Sequence, residues 1–167
     1  MIDVPRLEDL GDLSGKSVLV RADFNVPISD GHITDDLRIR AAVPTLRYLL
    51  EAGASVTACT HLGRPKGEPN PADSVEPVRA KLAEWLPEVT LLDNLRFDPG
   101  ETANDPAFVQ ALIEGHDAYV NDAFGPAHRA HASTEGVARH FEQKAAGFTI
   151  ANEVTALDRI LNSHRNG

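Results

Sequence analysis

A chain of 167 residues with 42% hydrophobic and 25% charged residues holds enough apolar material for one globular domain without disulfides or structural metal, which excludes a disordered tail. Its 16 Lys and Arg against 25 Asp and Glu, a formal net charge of −9, have the wrong sign for gripping a nucleic-acid backbone. No apolar run is long enough to cross a bilayer, the acidic start MIDVPRLEDLGDL does not read as a signal peptide, and Cys59 has no internal disulfide partner, so the expected compartment is the cytoplasm, with neither nucleic acid nor membrane as partner.

Along the chain, short β-rich runs alternate with helical ones. Ser17–Ala22 (SVLVRA) reads as a strand, followed by a turn carrying Asp23 and Asn25. On spacing alone that pair serves equally well as turn caps or as ligand contacts. Leu37–Ala52 reads as a helix with Ile39, Val43, Leu46 and Leu50 on one face and Gly53 placed to end it. Ser55–Thr60 is the next strand, leading into His61, Leu62, Gly63 and Arg64, and the loop GEPNPAD precedes a helix at Val75–Trp85. Val89–Leu92 reads as a strand that ends at Asn94 and Arg96. Pro106–Glu114 is a helix with Asp105 as its cap and Gly115 at its close, and Ala118–Asn121 is a strand that opens onto Asp122, His128, Arg129 and His131. A fifth strand is expected near Gly147–Ile150, a last helix at Val154–Leu161, and a frayed end at Ser163–Gly167.

This alternation predicts an α/β, Rossmann-like three-layer domain with a mainly parallel sheet, occupying 1–167 as one unit. In such a sheet the carboxyl edge gathers the loops, so four basic segments converge there on a small anionic ligand. Cys59 and Trp85 are expected in the core, His131 as packing or support, and Asp122 as a brace for the loop around Arg129.

The segments RADFNVP, ITDDLRIRAAVPTL, HLGRPKG, NLRF and NDAFGPAHRAHAS, in this order, resemble phosphoglycerate kinase, over about Gly15 to Leu161. The resemblance implies the family's 3-phosphoglycerate-binding N-terminal domain, with 3-phosphoglycerate or 1,3-bisphosphoglycerate as ligand. It assigns substrate binding to Asp23, Phe24, Asn25, Arg38, His61, Leu62, Gly63, Arg64, Arg96 and Arg129. Asp23 and Asn25 meet the hydroxyl and neighbouring oxygens, His61, Arg64, Arg96 and Arg129 surround the phosphate, and Arg38 meets the carboxylate and is the catalytic residue for phosphoryl transfer. Paired guanidinium hydrogen bonds suit both anions.

The resemblance also implies what this chain lacks: no GxxxxGK[ST] or GxGxxG pattern occurs, so Mg-ATP or Mg-ADP belongs to a C-terminal nucleotide-binding domain that is not in this sequence. No cofactor or metal is expected in the chain itself. Turnover is not expected from it alone, and apolar surface left uncovered by that domain implies marginal stability or self-association. Between Arg64 and Arg96 the sequence is shorter than the family pattern by about one strand-and-helix unit, and Asn152 stands where lysine is usual. Two other readings compete: a stand-alone, non-catalytic binding module for a phosphorylated metabolite, and a metal-dependent hydrolase built on Asp23, His61, His128 and His131.

Overall fold

The computed structural model describes residues 5–123, 130–152 and 159–160. A five-stranded, wholly parallel sheet is built from β1 (Ser17–Arg21), β4 (Ser55–Cys59), β5 (Thr90–Leu91), β6 (Ala118–Asn121) and β7 (Lys144–Ala146), in the order β5-β4-β1-β6-β7. Beside it, β2 (Ile28–Ser29) and β3 (His32–Ile33) pair antiparallel. Asp30 and Gly31 form their turn with φ of 52° and 76°, the left-handed pair that matches the twist of a two-residue hairpin. Among the described residues the sheet is accompanied by the α-helices α1 (Leu37–Glu51), α2 (Glu76–Trp85), α3 (Gly100–Ala103) and α4 (Pro106–Ile113) and by a further helical stretch at 148–152.

The period-2 alternation of the strands separates two cores. Val18 and Val20 of β1, Val56 and Ala58 of β4, and Ala118 and Val120 of β6 meet Ile39, Leu46 and Leu49 of α1 and Val78 and Leu82 of α2. On the opposite face Leu19, Cys59 and Tyr119 meet Val109 and Leu112 of α4, with Leu95, Ala132 and Val137. The result is the expected three-layer order of helix, sheet and helix. Each fully buried aliphatic side chain contributes about 1.5–3 kcal/mol relative to exposure.

Helix ends follow their local chemistry. Gly53, at φ 91°, donates to the Leu50 carbonyl (3.0 Å) while Ala54 donates to that of Leu49 (3.1 Å), the paired bonds of a Schellman stop. Asp105 accepts from the Ala107 amide at 3.1 Å, with Pro106 in the first turn of α4.

Near the end of the described chain the expectation fails. The fifth strand is Lys144–Ala146, paired with Tyr119, Val120 and Asn121. Residues 148–152 are helical instead. Gly147–Ile150 is apolar and β-rich, but Phe148 donates its amide to Thr45 Oγ1 (2.9 Å) and Thr149 donates its own to Asp122 Oδ1 (3.0 Å). A side chain of α1 and one from the residue just after β6 thus satisfy amides that begin a helix. Asp122 correspondingly braces Thr149. Most of the helix expected at Val154–Leu161 lies outside the described residues, as do Ser163–Gly167, His128 and Arg129. No helix among the described residues is long and apolar enough to cross a membrane.

Candidate functional site at the carboxyl edge

β1 lies at the point where the sheet's connections diverge, with β4 on one side and β6 on the other, so the loops leaving these strands share the carboxyl edge. Arg38, in the first turn of α1, donates Nη1 to the Asn25 carbonyl at 3.0 Å and approaches Asp23 Oδ1 at 3.4 Å. Its side chain is 56% exposed, so the guanidinium stays open to a ligand. Asn25 Oδ1 accepts the Gly63 amide at 3.0 Å, which ties the turn after β1 to the loop after β4. Gly63 sits at φ 64°, and a Cβ there would collide with the Asp73 carboxylate.

Asn94 fixes the same loop from the other side. Its Oδ1 accepts from the amides of Leu62 (3.3 Å) and Arg96 (3.0 Å), and its Nδ2 donates to the carbonyls of Leu62 (2.7 Å) and Asp73 (2.9 Å). This uses the full donor and acceptor capacity of a buried amide. Phe24 and Leu62 turn their side chains into the core. The Phe24 amide donates to Thr60 Oγ1 at 2.9 Å. Arg96 is half-buried and Arg64 is exposed.

His61 is 7% exposed, and its Nδ1 lies 2.6 Å from Nη2 of Arg21. A guanidinium only donates, so Nδ1 accepts and the ring proton sits on Nε2. Burial, followed by the positive charges of Arg21 and Arg96, lowers its pKa to about 3. His61 is therefore a neutral hydrogen-bond donor and not a third cation. Because the folded pKa lies below the unfolded one, the unfolded chain takes up protons first: the stability tied to the neutral ring is present above about pH 6.5 and is lost as pH falls toward 3. The carbon-bound ring protons of His61 are expected to show no titration in NMR spectra between pH 8 and 5; a midpoint near 6.5 would contradict the Arg21 contact.

Arg21, Glu101 and Ser133 were not among the residues expected to matter. All three are completely buried. The signal was present in β1, where Arg21 shares the inward phase of Leu19. In the groove of about 570 Å³ between the β2–β3 hairpin and α2, Asp36 pairs with Arg40 at 2.8 Å and Lys81 at 3.8 Å.

Residues 7–89 and 86–166 match the family model "Phosphoglycerate kinase". The chain belongs to the phosphoglycerate kinase family. It is 49% identical to a phosphoglycerate kinase of Rubrobacter xylanophilus, an alignment covering 97% of this chain and 47% of the relative, and 50% identical to one of Chloroflexus aurantiacus, covering 91% and 44%. Phosphoglycerate kinase from Coxiella burnetii superimposes with a TM-score of 0.88 at 35% identity, over 94% of this chain and 45% of the other. The chain thus spans about half the length of the curated relatives it matches. The family match breaks in two at 86–89, between α2 and β5 and inside the stretch between Arg64 and Arg96 that was expected to be shorter than the family pattern.

The structure brings Asp23, Asn25, Arg38, Gly63 and His61 together at this edge of the phosphoglycerate kinase fold, with Arg38 and Arg96 close enough to act on the His61 charge. Cys59 lies in the core, its thiol pushed up to about 12 by burial, which leaves it no nucleophilic role. A metal ion at His61 Nδ1 would have to displace the Arg21 guanidinium beside other cationic groups, which Coulomb repulsion opposes.

Proposed function

We propose that this chain is the substrate-binding domain of a phosphoglycerate kinase, the phosphotransferase interconverting 1,3-bisphosphoglycerate with ADP and 3-phosphoglycerate with ATP. The reading rests on the convergence of Asp23, Asn25, Arg38 and Gly63, drawn from separate segments by the 3.0 Å bonds through Asn25. Arg38 would exchange its bond to the Asn25 carbonyl for the substrate carboxylate. Asp23 and Asn25 would meet the hydroxyl, and Arg64, Arg96 and Arg129 the phosphate, with His61 adding a neutral Nε2–H donor. The carboxylate is the acceptor of the phosphoryl group, and Arg38 is the residue placed to stabilise charge on that group in transit.

The reaction needs a nucleotide-binding domain to supply Mg-ATP or Mg-ADP, so this chain alone binds 3-phosphoglycerate and does not turn over. Phosphoryl transfer depends on holding donor and acceptor in line away from water, and the chain supplies the acceptor side only. Calorimetric titration with 3-phosphoglycerate is expected to show weak binding that falls with added salt, because the attraction is between charges at an open cleft. Arg64→Ala and Arg129→Ala should each weaken it about 10- to 100-fold, the value of a hydrogen bond between charged partners. Unchanged affinity in both variants would remove the phosphate from this position. ATP-dependent activity of the purified chain in a coupled assay would overturn the division of labour.

A further inference from the structure

A chain of buried polar groups runs from Glu101 to the cleft. Glu101, at the start of α3, accepts the Ser133 amide on Oε1 (2.8 Å) and the Ser133 hydroxyl on Oε2 (2.6 Å). That hydroxyl has one proton, and giving it to Glu101 leaves the oxygen lone pairs to accept from Arg21 Nε at 2.9 Å. Arg21 in turn donates Nη1 to the Ala22 carbonyl and Nη2 to His61 Nδ1. Ser133 sits in a single π-helical turn, Ala132–Gly136, a backbone form that often marks a functional position. Glu101, Ser133 and Arg21 are each 0% exposed, so bulk solvent does not compete for any link.

We propose that Glu101 is a positioning residue for His61, acting through Ser133 and Arg21 to hold the imidazole in its Nε2–H tautomer facing the anion. Only one arrangement of protons satisfies the chain. If Ser133 kept its proton from Glu101, the hydroxyl would oppose the Arg21 Nε–H donor to donor, and the guanidinium would lose the bond that aims Nη2 at His61. The negative charge of Glu101 also offsets that of Arg21, the group nearest the ring. The other charged or titratable groups acting on His61 are Arg96 after β5, His131 after β6 and Arg38 on α1. None is acidic, so nothing among them favours an imidazolium. The tautomer follows from these contacts alone; that its donor serves a phosphate rests on the function proposed above.

Long-range ¹H–¹⁵N NMR of histidine-labelled protein tests the relay without ligand, and titration with 3-phosphoglycerate tests its use. In the wild type His61 should appear as one Nε2–H species. Glu101→Gln offers one acceptor where Ser133 needs two, and should give a mixture of tautomers with affinity lower by about tenfold, the loss of one charge-assisted contact. Ser133→Ala should do the same, whereas Ser133→Thr, which keeps the hydroxyl, should retain the wild-type tautomer and affinity. Simple packing predicts the opposite order, because threonine is the larger intrusion into a fully buried site. If Glu101→Gln does not fold, the Ser133 pair and the wild-type spectrum decide. A wild-type Nδ1–H or mixed tautomer, or identical behaviour of the two Ser133 variants, would overturn the proposal. Failure of the wild type to bind 3-phosphoglycerate while the tautomers behave as stated would instead count against the proposed function.

Discussion

Replacing Glu101 with alanine is expected to lower the unfolding free energy by about 3–5 kcal/mol, the cost of leaving one member of a buried charge pair without the other. Arg21 and Glu101 are both sealed from solvent, with Ser133 between them at 2.9 and 2.6 Å. Without the carboxylate, the Ser133 amide and hydroxyl lose their acceptors and the guanidinium keeps its charge in a low-dielectric interior. The sheet at this point is thin in alternatives, because the neighbouring side chains are Leu19, Cys59 and Tyr119. Tyr119 is itself committed, donating its hydroxyl to the Ser133 carbonyl at 2.6 Å. Urea unfolding, compared at equal slope, measures the effect. A midpoint indistinguishable from wild type would show that the charge of Glu101 is not needed to bury Arg21.

Asp122→Asn is expected to stabilise the protein at pH 8.5, progressively less as pH falls below 7, and to be close to neutral only below about pH 3.8. Asp122 is 2% exposed, and burial raises its pKa to about 7 against the opposing hydrogen bonds from Thr149 and Thr45. The geometry explains how a proton is accommodated. Thr149 Oγ1 lies 3.3 Å from the Ala41 carbonyl and 3.2 Å from Asp122 Oδ2, and one hydroxyl proton cannot serve both. When it goes to Ala41, a protonated Asp122 supplies the second bond. Because the folded pKa is above the unfolded 3.8, the folded state holds the proton more tightly. The associated stability is fully present below about pH 3.8 and is lost as pH rises through 7. A tenfold difference in proton affinity between the folded and unfolded chain is worth about 1.4 kcal/mol, so ionised Asp122 costs several kcal/mol above neutrality. Asparagine reproduces the protonated form's donor and acceptor without ionising. Thermal melts from pH 5 to 8.5 should therefore fall more steeply for the wild type than for the variant; parallel curves would place the Asp122 proton elsewhere. The same contacts join β6 and α1 to the helix beginning at 148, so loosening at high pH should begin there.

Local pattern determined much of this protein. The short β-rich runs at Ser17–Arg21 and Ser55–Cys59, expected as strands buried on both faces, the 3.6-residue period of α1, and the caps at Gly53 and Asp105 were readable because each depends on neighbours close in sequence. The Asp30-Gly31 hairpin is legible by the same logic, although it was not among the expected elements. The polar residues after β1, β4 and β5 could be assigned to one edge because parallel crossovers return every strand in the same direction. What only the tertiary structure decided involves partners far apart in the chain. Thr45 and Asp122 turn an apolar, β-rich stretch at 147–150 into the start of a helix, and parallel pairing with β6 makes a strand of Lys144–Ala146 despite its two alanines. The protonation of His61 was equally out of reach, since it is set by burial and by the charges of Arg21 and Arg96, and Arg21 lies 40 residues from it in the chain. A propensity is summed over adjacent residues, whereas a buried charge is decided by whichever groups the fold places around it.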